Sequence, residues 1–219
     1  MAKRILNMTA EEMTHATKNE LIEAIAGSEG RVLASETIGI TIPLLTDVTN
    51  AEFAASMGAD LILLNMFDVQ EPKIMALPEV EKEETVREVK RLTGRMIGIN
   101  LEPVEESYAS DNKETLWEIS AGRYATVENA IQAQKMGVDL IVLTGNPGNG
   151  VSNPAIISSL KAISEAVGEK IMLAAGKMHV FVCSGYRSLR CSSFSDKISL
   201  CRTDSKAPAT APYKMQMPR

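Results

Sequence analysis

The sequence lacks several features that would assign it to common classes of protein. No apolar run approaches the roughly 20 residues that a membrane-spanning helix needs, so a membrane protein is not expected. The first residues, MAKRILNMTAEEMTH, contain no apolar signal core and no small-residue cleavage site, which predicts a cytoplasmic protein. The net charge of −5 gives no indication of a nucleic-acid partner. Cysteine is absent before Cys183, and the three cysteines present do not have the spacing of a zinc motif.

Residues 180–219 differ in composition from the rest of the chain. They contain seven Lys or Arg against two Asp, a net charge of +5, which leaves −10 for residues 1–179. Glutamate is abundant before this tail and absent from it, whereas seven serines fall within it. Regions so different are not expected to share one core. We therefore predict a domain over 1–179 and a separate tail. The tail is either a disordered extension or, as we favour, the product of a reading-frame shift near His179.

An internal repeat indicates buried parallel strands. Residues 56–64 read SMGADLILL and residues 135–143 read KMGVDLIVL, which is a helix end, a glycine, an acid and an apolar run. Glycine just after a helix end adopts the left-handed conformation at little cost. A continuous apolar run is typical of a parallel strand covered on both faces. Similar runs elsewhere complete five predicted strands, at about 31–40, 60–66, 95–102, 138–144 and 170–175.

Helical patterns lie before and between these strands. Thr9–Glu12 and Thr17–Glu20 have the spacing of capping boxes, and a helix over about 18–26 would cover the floor of a barrel. Strands that alternate with helices predict a parallel sheet with right-handed crossovers. Four further helices are predicted after Asn50, over about 79–92, from Thr126, and from an Asn153 cap followed by Pro154.

Such a sheet is either an open doubly wound sheet or a (β/α) barrel. No Gly-x-Gly-x-x-Gly follows the first strand, which weakens a dinucleotide-binding fold. Polar residues gather at the strand ends, where barrel enzymes keep their sites, but a closed barrel needs eight strands and about 250 residues. Only 43 residues follow the fifth predicted unit, which ends at residue 176. We therefore predict an incomplete (β/α) TIM-type barrel of about five units, whose unpaired edge would favour a homo-oligomer.

Three residues at predicted strand ends are candidates for catalysis. Glu36 and Glu102 could act as proton acceptors, and acids on neighbouring strands could hold Mg²⁺. Lys177 follows the fifth strand and could form a Schiff base or contact an anion. The competing interpretation is structural: carboxylates bonded by loop amides, and a solvated lysine.

The segment TGNPGNGVSNP, residues 144–154, is a candidate anion-binding loop. Its glycines and the helix that follows could present backbone N–H groups to a phosphate or carboxylate. It matches neither the P-loop nor the dinucleotide pattern, and a flexible turn with a helix cap is the competing interpretation. The residues predicted to contact a small anionic substrate are Asn65, Asp68, Asn100, Thr144, Gly145, Asn146, Gly148, Gly150 and Ser152.

Three stretches resemble a bacterial family of barrel proteins that are often labelled haloacid-dehalogenase-like hydrolases. They are PLLTDVTNAEFAASMGADLILLNMFDV, GRMIGINLEP and LIVLTGNPGNGVSN, and they are also distantly similar to phosphoenolpyruvate-mutase-type barrels. The resemblance covers about residues 4–178. It implies Mg²⁺ and a strand-end acid set that acts on a small carboxylate or phosphonate, with Glu36, Asn65, Glu102 and Asn146 at the mouth. The chain contains no Asp-x-Asp, the motif that carries the dehalogenase nucleophile, so these residues do not support that label.

The predicted function is that of an enzyme acting on a small anionic metabolite, phosphorylated or not. Lyase, mutase or isomerase chemistry that begins with proton abstraction suits a mouth lined by acids, amides and one lysine. Two alternatives stay open at this point. The chain could be a hydrolase, as the family label implies, or an inactive truncated barrel.

Overall fold

The computed structural model describes residues 3–104, 119–145 and 151–177. Within these ranges five parallel strands are hydrogen-bonded in the order β1-β2-β3-β4-β5. The five predicted strands are confirmed, whereas the predicted tail over 180–219 lies outside the described residues. The strands are β1 (Ala34–Ile38), β2 (Leu61–Asn65), β3 (Met96–Leu101), β4 (Leu140–Gly145) and β5 (Met172–Lys177).

Six α-helices occupy the described part of the chain, together with three 3₁₀ turns. None of these helices combines the length and the apolar character needed to cross a bilayer. The helices are α1 (Ala10–His15), α2 (Lys18–Gly27), α3 (Asn50–Ser56), α4 (Thr85–Thr93), α5 (Val127–Met136) and α6 (Asn153–Val167), and the 3₁₀ turns are Ile5–Asn7, Lys82–Glu84 and Ala121–Arg123.

Side-chain caps determine where the helices begin. The capping boxes predicted at Thr9–Glu12 and Thr17–Glu20 are both present. Two other predicted caps are one residue too late. Thr49 caps α3 by accepting the Glu52 N–H at 3.1 Å, and Ser152 caps α6. In both places a hydroxyl residue stands immediately before the predicted Asn, and it has the extended backbone that a cap requires.

Helix α4 is shorter than the pattern predicted. It begins at Thr85 rather than near residue 79, because Lys82–Glu84 forms a separate 3₁₀ turn. The helix ends at Thr93, and its C-cap Gly94 has a φ of 62° and donates its N–H to the Lys90 carbonyl. This left-handed conformation favours glycine. The charged residues just before Thr85 therefore form an exposed connection. Only the second part of the predicted segment, which has an apolar and a polar side, forms the helix.

The sheet separates two hydrophobic clusters. One face packs under the helices α3 to α6 through residues such as Ile62, Ile97 and Ile141. The opposite face, which we call the inner face, carries Leu61 and Met96 at the strand starts. Helix α2, which was predicted to cover this end of the sheet, packs on these strand starts together with residues of α1 and of the first 3₁₀ turn, which were not. The inner-face cluster consists of Ile5, Met13, Leu21, Ala24, Leu61, Met96 and Met172.

The strand order distinguishes between the two predicted architectures. A doubly wound sheet reverses its strand order at a switch point and carries helices on both faces. Here the order follows the chain, and the connecting helices that pack in the main core lie on one face. These are the features of a (β/α)-barrel segment. The described residues form an α/β structure with a five-stranded parallel sheet and do not themselves close a ring.

The internal repeat marks the same structural joint twice. Asp60 Oδ2 accepts the Leu33 N–H at 2.8 Å, and Asp139 Oδ2 accepts the Ile97 N–H at 2.8 Å. Each acid therefore ties the start of its own strand to the start of the preceding one. The glycine two residues before each acid has a positive φ, 96° and 90° respectively, as the sequence predicted.

Candidate functional site

Polar side chains of three neighbouring strands meet on the inner face near the strand ends. Asn100 of β3 donates from Nδ2 to Glu36 Oε1 of β1 at 3.1 Å and to Asn65 Oδ1 of β2 at 3.4 Å. Leu64 pairs with Ile99 across β2 and β3, so the two asparagines are neighbours in register. The structure thus brings together three residues that the sequence predicted at the strand ends. We call Glu36, Asn65 and Asn100 the strand-end triad.

The triad holds the Asn100 amide in one orientation. Its NH₂ group bonds the two oxygens of Glu36 and Asn65, so its carbonyl oxygen points elsewhere. That oxygen is buried and has no hydrogen-bond partner among the residues that the structure describes. Leaving a buried acceptor unpaired costs about 1–3 kcal/mol. Such an unpaired group is uncommon in native proteins and calls for an explanation, of which a role in binding or catalysis is one.

Glu36 is the accessible member of the triad. It is exposed, whereas Asn100 is buried and Asn65 is half-buried. It also lines a cleft of about 450 Å³ between β1 and α3. The cleft is bordered by exposed apolar side chains, among them Leu44 and Met57. This cleft lies on the side of the sheet that α3 covers, so the accessibility of the Glu36 carboxylate on the inner face rests on the exposure of Glu36 itself.

Glu102 lies at the exit of β3, two residues beyond Asn100. Side chains alternate along a strand, so Glu102 and Asn100 lie on the same side. Its carboxylate is 3% exposed and forms an ion pair with Arg123. The main chains are joined as well, because the Glu102 N–H donates to the Arg123 carbonyl at 2.8 Å. Glu102 is thus placed at the predicted position, but its carboxylate contacts a cation and is less accessible than that of Glu36.

The turn that carries Arg123 is held by Asn129 of α5. Asn129 Nδ2 donates to the Ala121 carbonyl at 2.8 Å and to the Tyr124 carbonyl at 2.9 Å. Asn129 itself is 3% exposed, so these bonds are shielded from water. The buried amide therefore sets the position of the 3₁₀ turn and, through it, the position of the guanidinium.

Asp68 organises the same turn rather than facing the triad. Its Oδ1 accepts the Gln70 N–H at 2.7 Å and the Glu71 N–H at 3.0 Å. Burial alone would raise the pKa of Asp68, but hydrogen bonds from the Ser120 side chain and from backbone N–H groups, including that of Gly122, outweigh it and lower the pKa. Asp68 was predicted to contact a substrate anion. In the structure its carboxylate accepts backbone N–H groups of its own turn, and its contact with a substrate anion stays a prediction.

The exit of β4 supplies the remaining described positions. Thr144 is half-buried and alternates with Leu140, which packs on the inner-face cluster. Gly145 is the buried last residue of β4. Ser152 Oγ accepts the Ala155 N–H at 3.2 Å and so serves as a helix cap. The predicted anion-binding residues Asn146, Gly148 and Gly150 lie outside the described residues, as does the side chain of Lys177.

The donor set does not fit Mg²⁺ in this arrangement. No group of three or more His, Cys, Asp or Glu side chains suited to a metal occurs in the described ranges. The Asn100 NH₂ group donates to the oxygens of Glu36 and Asn65, so a hydrogen-bond donor already occupies these two oxygens. The Glu102 carboxylate is paired with Arg123.

The fold defines an α/β protein built on a five-stranded parallel sheet. The chain belongs to the family described as "Domain of unknown function (DUF7916)", which matches residues 6–192. No curated protein matches the chain. The family description names no activity, so the resemblance to haloacid-dehalogenase-like hydrolases stays a prediction.

Several solved structures are distantly similar. A candidate phosphonomutase from Burkholderia cenocepacia J2315 shares 14% identity over 68% of this chain and 54% of its own, with a TM-score of 0.40. A candidate lyase/mutase from the same organism shares 13% identity over 73% of this chain and 54% of its own, with a TM-score of 0.40. KGPDC from Streptococcus mutans shares 11% identity over 74% of each chain, with a TM-score of 0.33. The chain spans about half the length of the first two proteins.

Arg123 was not predicted from the sequence. It stands in SAGRYATVEN, where nothing distinguishes it from a solvated arginine. Its partner Glu102 is 21 residues earlier, so no local pattern in the sequence indicates the ion pair. The one usable signal is the small residues before it, which favour a turn at this point of the chain.

Proposed function

We propose that this protein is an enzyme of the lyase, mutase or isomerase type that abstracts a proton from a small anionic metabolite at the strand-end triad. The observation that supports this is the hydrogen-bonded contact of Glu36, Asn65 and Asn100 on one face of the sheet. Polar groups from different strands that meet at the C-terminal ends of a (β/α) sheet are the usual composition of an active site in this architecture.

Glu36 is the proton acceptor in this proposal. Asn100 holds Oε1, while Oε2 bonds no other residue in the described ranges and is open to a substrate C–H group. The bond pair of that C–H group moves toward an adjacent carbonyl or carboxylate carbon as the proton passes to Glu36. A positioned general base of this kind typically contributes about 10²–10⁴-fold to the rate.

The negative charge that develops on the substrate oxygen needs donors nearby. Asn65 uses its carbonyl oxygen to accept from Asn100, which leaves its NH₂ group to donate to a ligand. The Thr144 hydroxyl on β4 is a second donor on the same face. Donors already oriented by the fold stabilise such charge without reorganising during the reaction. Return of the proton to another carbon completes an isomerisation, and loss of a β-substituent completes a lyase reaction.

The test is proton exchange measured in D₂O by NMR. Wild-type protein is incubated with 2-oxo acids, 2-hydroxy acids and their phosphorylated counterparts, and exchange of the α-proton is followed. With any compound that exchanges, E36Q is expected to lower the rate by about 10²–10⁴-fold. E83Q is the matched control, because Glu83 is exposed on the 3₁₀ turn before α4 and its side chain bonds no described residue.

Two outcomes would contradict the proposal. One is exchange by E36Q at the wild-type rate. The other is no exchange of any compound class by wild-type protein that melts cooperatively. Melting curves of both variants show whether a loss of exchange comes from unfolding, and E36Q is expected to melt within about 0.5 kcal/mol of wild type because Glu36 is exposed.

A further inference from the structure

Arg123 is a largely desolvated cation with hydrogen-bond donors to spare. Its side chain is 13% exposed, and Nη2 contacts Glu102. A guanidinium carries five N–H donors in a fixed plane. Within the described ranges no other acceptor bonds the Arg123 guanidinium, and none of its nitrogens is among the fully buried unpaired atoms. The described residues therefore neither bond nor fully enclose the remaining donors.

The position of this cation matches the strand-end triad. Glu102, which Arg123 contacts, lies two residues from Asn100 on the same side of β3, a separation of about 7 Å. The triad itself contributes a carboxylate and two amides and contacts no described cation. An anionic substrate at the triad needs a positive charge within the length of a small organic acid. Arg123 supplies that charge at the neighbouring strand position.

The guanidinium is also held in place before any ligand arrives. Glu102 bonds its side chain, the Glu102 N–H bonds its carbonyl, and Asn129 fixes the turn on either side. Gly122 packs so closely on Asp68 that a Cβ at this position would lie 1.8 Å from Oδ1. A rigid arginine loses little entropy when it binds a planar oxyanion through two parallel N–H···O bonds.

We propose that Arg123 binds the carboxylate or phosphate of the substrate, and that Glu102 is a positioning residue that orients it. Glu102 uses one edge of the guanidinium, and the oxyanion takes the open edge. Gly122 and Asp68 hold the turn at the required distance. This assignment rests on the proposed function for its place in the reaction, but oxyanion binding can be measured without turnover.

The experiment is a calorimetric titration of the full chain with malonate, with inorganic phosphate, and with neutral malonamide. Wild-type protein is expected to bind at least one of the two anions and not malonamide, and the comparison between malonate and phosphate tells which oxyanion the site accepts. R123K keeps the positive charge but lacks the planar pair of N–H donors. It is therefore expected to bind the preferred anion at least about 10-fold more weakly than wild type. R91Q is the control, because Arg91 is an exposed cation on α4.

A second pair of variants tests the role of the turn. G122A forces the turn away from Asp68 and is expected to weaken anion binding, whereas G27A, at the end of α2, meets its nearest neighbour at 3.7 Å and is expected to bind like wild type. The double variant E102Q/R123Q removes the pair without leaving a lone buried charge. This double variant is expected to lose anion binding. If it does not fold, the anion affinities of R123K and G122A test the role of Arg123 and its turn.

The proposal is overturned if R123K binds both anions as wild type does, or if R91Q weakens binding as much as R123K. The result also separates this assignment from the proposed function. Arg123 variants with full anion binding, together with an inactive E36Q, would remove the assignment and keep the proton abstraction. Loss of anion binding in R123K, together with an active E36Q, would keep the assignment of Arg123 and remove the proton abstraction by Glu36.

Discussion

At the starts of β2 and β4, Asp60 and Asp139 each accept a backbone N–H of the preceding strand at 2.8 Å. At the other end of the sheet, Glu36, Asn65 and Asn100 bond one another rather than the backbone. The two ends therefore use similar side chains for different purposes. The acids at the strand starts join neighbouring strands, while the polar groups at the strand ends form a contiguous surface.

The carboxylates at the two ends also differ in their partners, although buried atoms without a hydrogen-bond partner occur at both ends of the described sheet, with Arg95 Nε just before β3 and Asn100 Oδ1 near its end. The carboxylates at the strand starts bond the chain itself, and Asp139 has Lys90 at 2.6 Å in addition. At the strand ends the Asn100 carbonyl oxygen is buried without a partner in the described ranges, and Arg123 keeps open donors. Unpaired polar groups lower stability, so a protein retains them where they serve another purpose. The contrast predicts that mutations at the starts reduce stability and mutations at the ends reduce activity.

Asp139→Ala is expected to have the largest effect on stability, about 3–5 kcal/mol, because it leaves Lys90 as an unpaired cation that is 12% exposed. Urea unfolding measures the change. Burial raises the pKa of Asp139 even though Lys90 and the Ile97 N–H oppose it, so the pair carries a substantial desolvation cost. The double variant K90M/D139L should therefore recover most of the loss. If D139A lost less than about 1 kcal/mol of unfolding free energy, the acids at the strand starts would not have the stabilising role that distinguishes them from the strand-end groups.

Asp60→Ala is expected to cost less, about 1–3 kcal/mol, because Asp60 bonds the Leu33 N–H but contacts no described cation. The same urea experiment on D60A and D139A measures how much of the larger effect comes from Lys90. If D60A cost as much as D139A, the backbone bond and not the ion pair would be the main contribution at both joints.

The smallest effect is a pH dependence at the helix that covers the strand starts. Lys3, together with the Thr9 N–H, lowers the pKa of Glu12 from 4.5 to about 2. The unfolded chain therefore takes up this proton first, so the stabilisation is present above pH 4.5 and is lost as the pH falls through about 2. E12Q keeps the capping geometry without the charge. It should melt below wild type at pH 6 and together with it at pH 2, and a constant difference across this range would contradict the assignment.

The sequence predicted the strands well and the site in part. Continuous apolar runs identify buried strands because both faces of a parallel sheet are covered, and the five runs are the five observed strands. The contact of Glu36, Asn65 and Asn100 could be anticipated, since parallel strands end at the same edge of a sheet. The turn held by Asp68 could not be anticipated, because it depends on hydrogen bonds from Ser120 and Gly122, which are distant from Asp68 in the sequence.

By itself, the sequence determined the local elements of this protein: the apolar runs that become strands, the glycines that take left-handed conformations, and the threonines that cap helices. Each of these depends on residues within a few positions of one another. Only the tertiary structure decided that Glu102 pairs with Arg123 and that Asn100 turns its NH₂ group toward Glu36. Those contacts join residues 21 and 64 positions apart, and their energies arise only after the sheet has assembled and excluded water from between them.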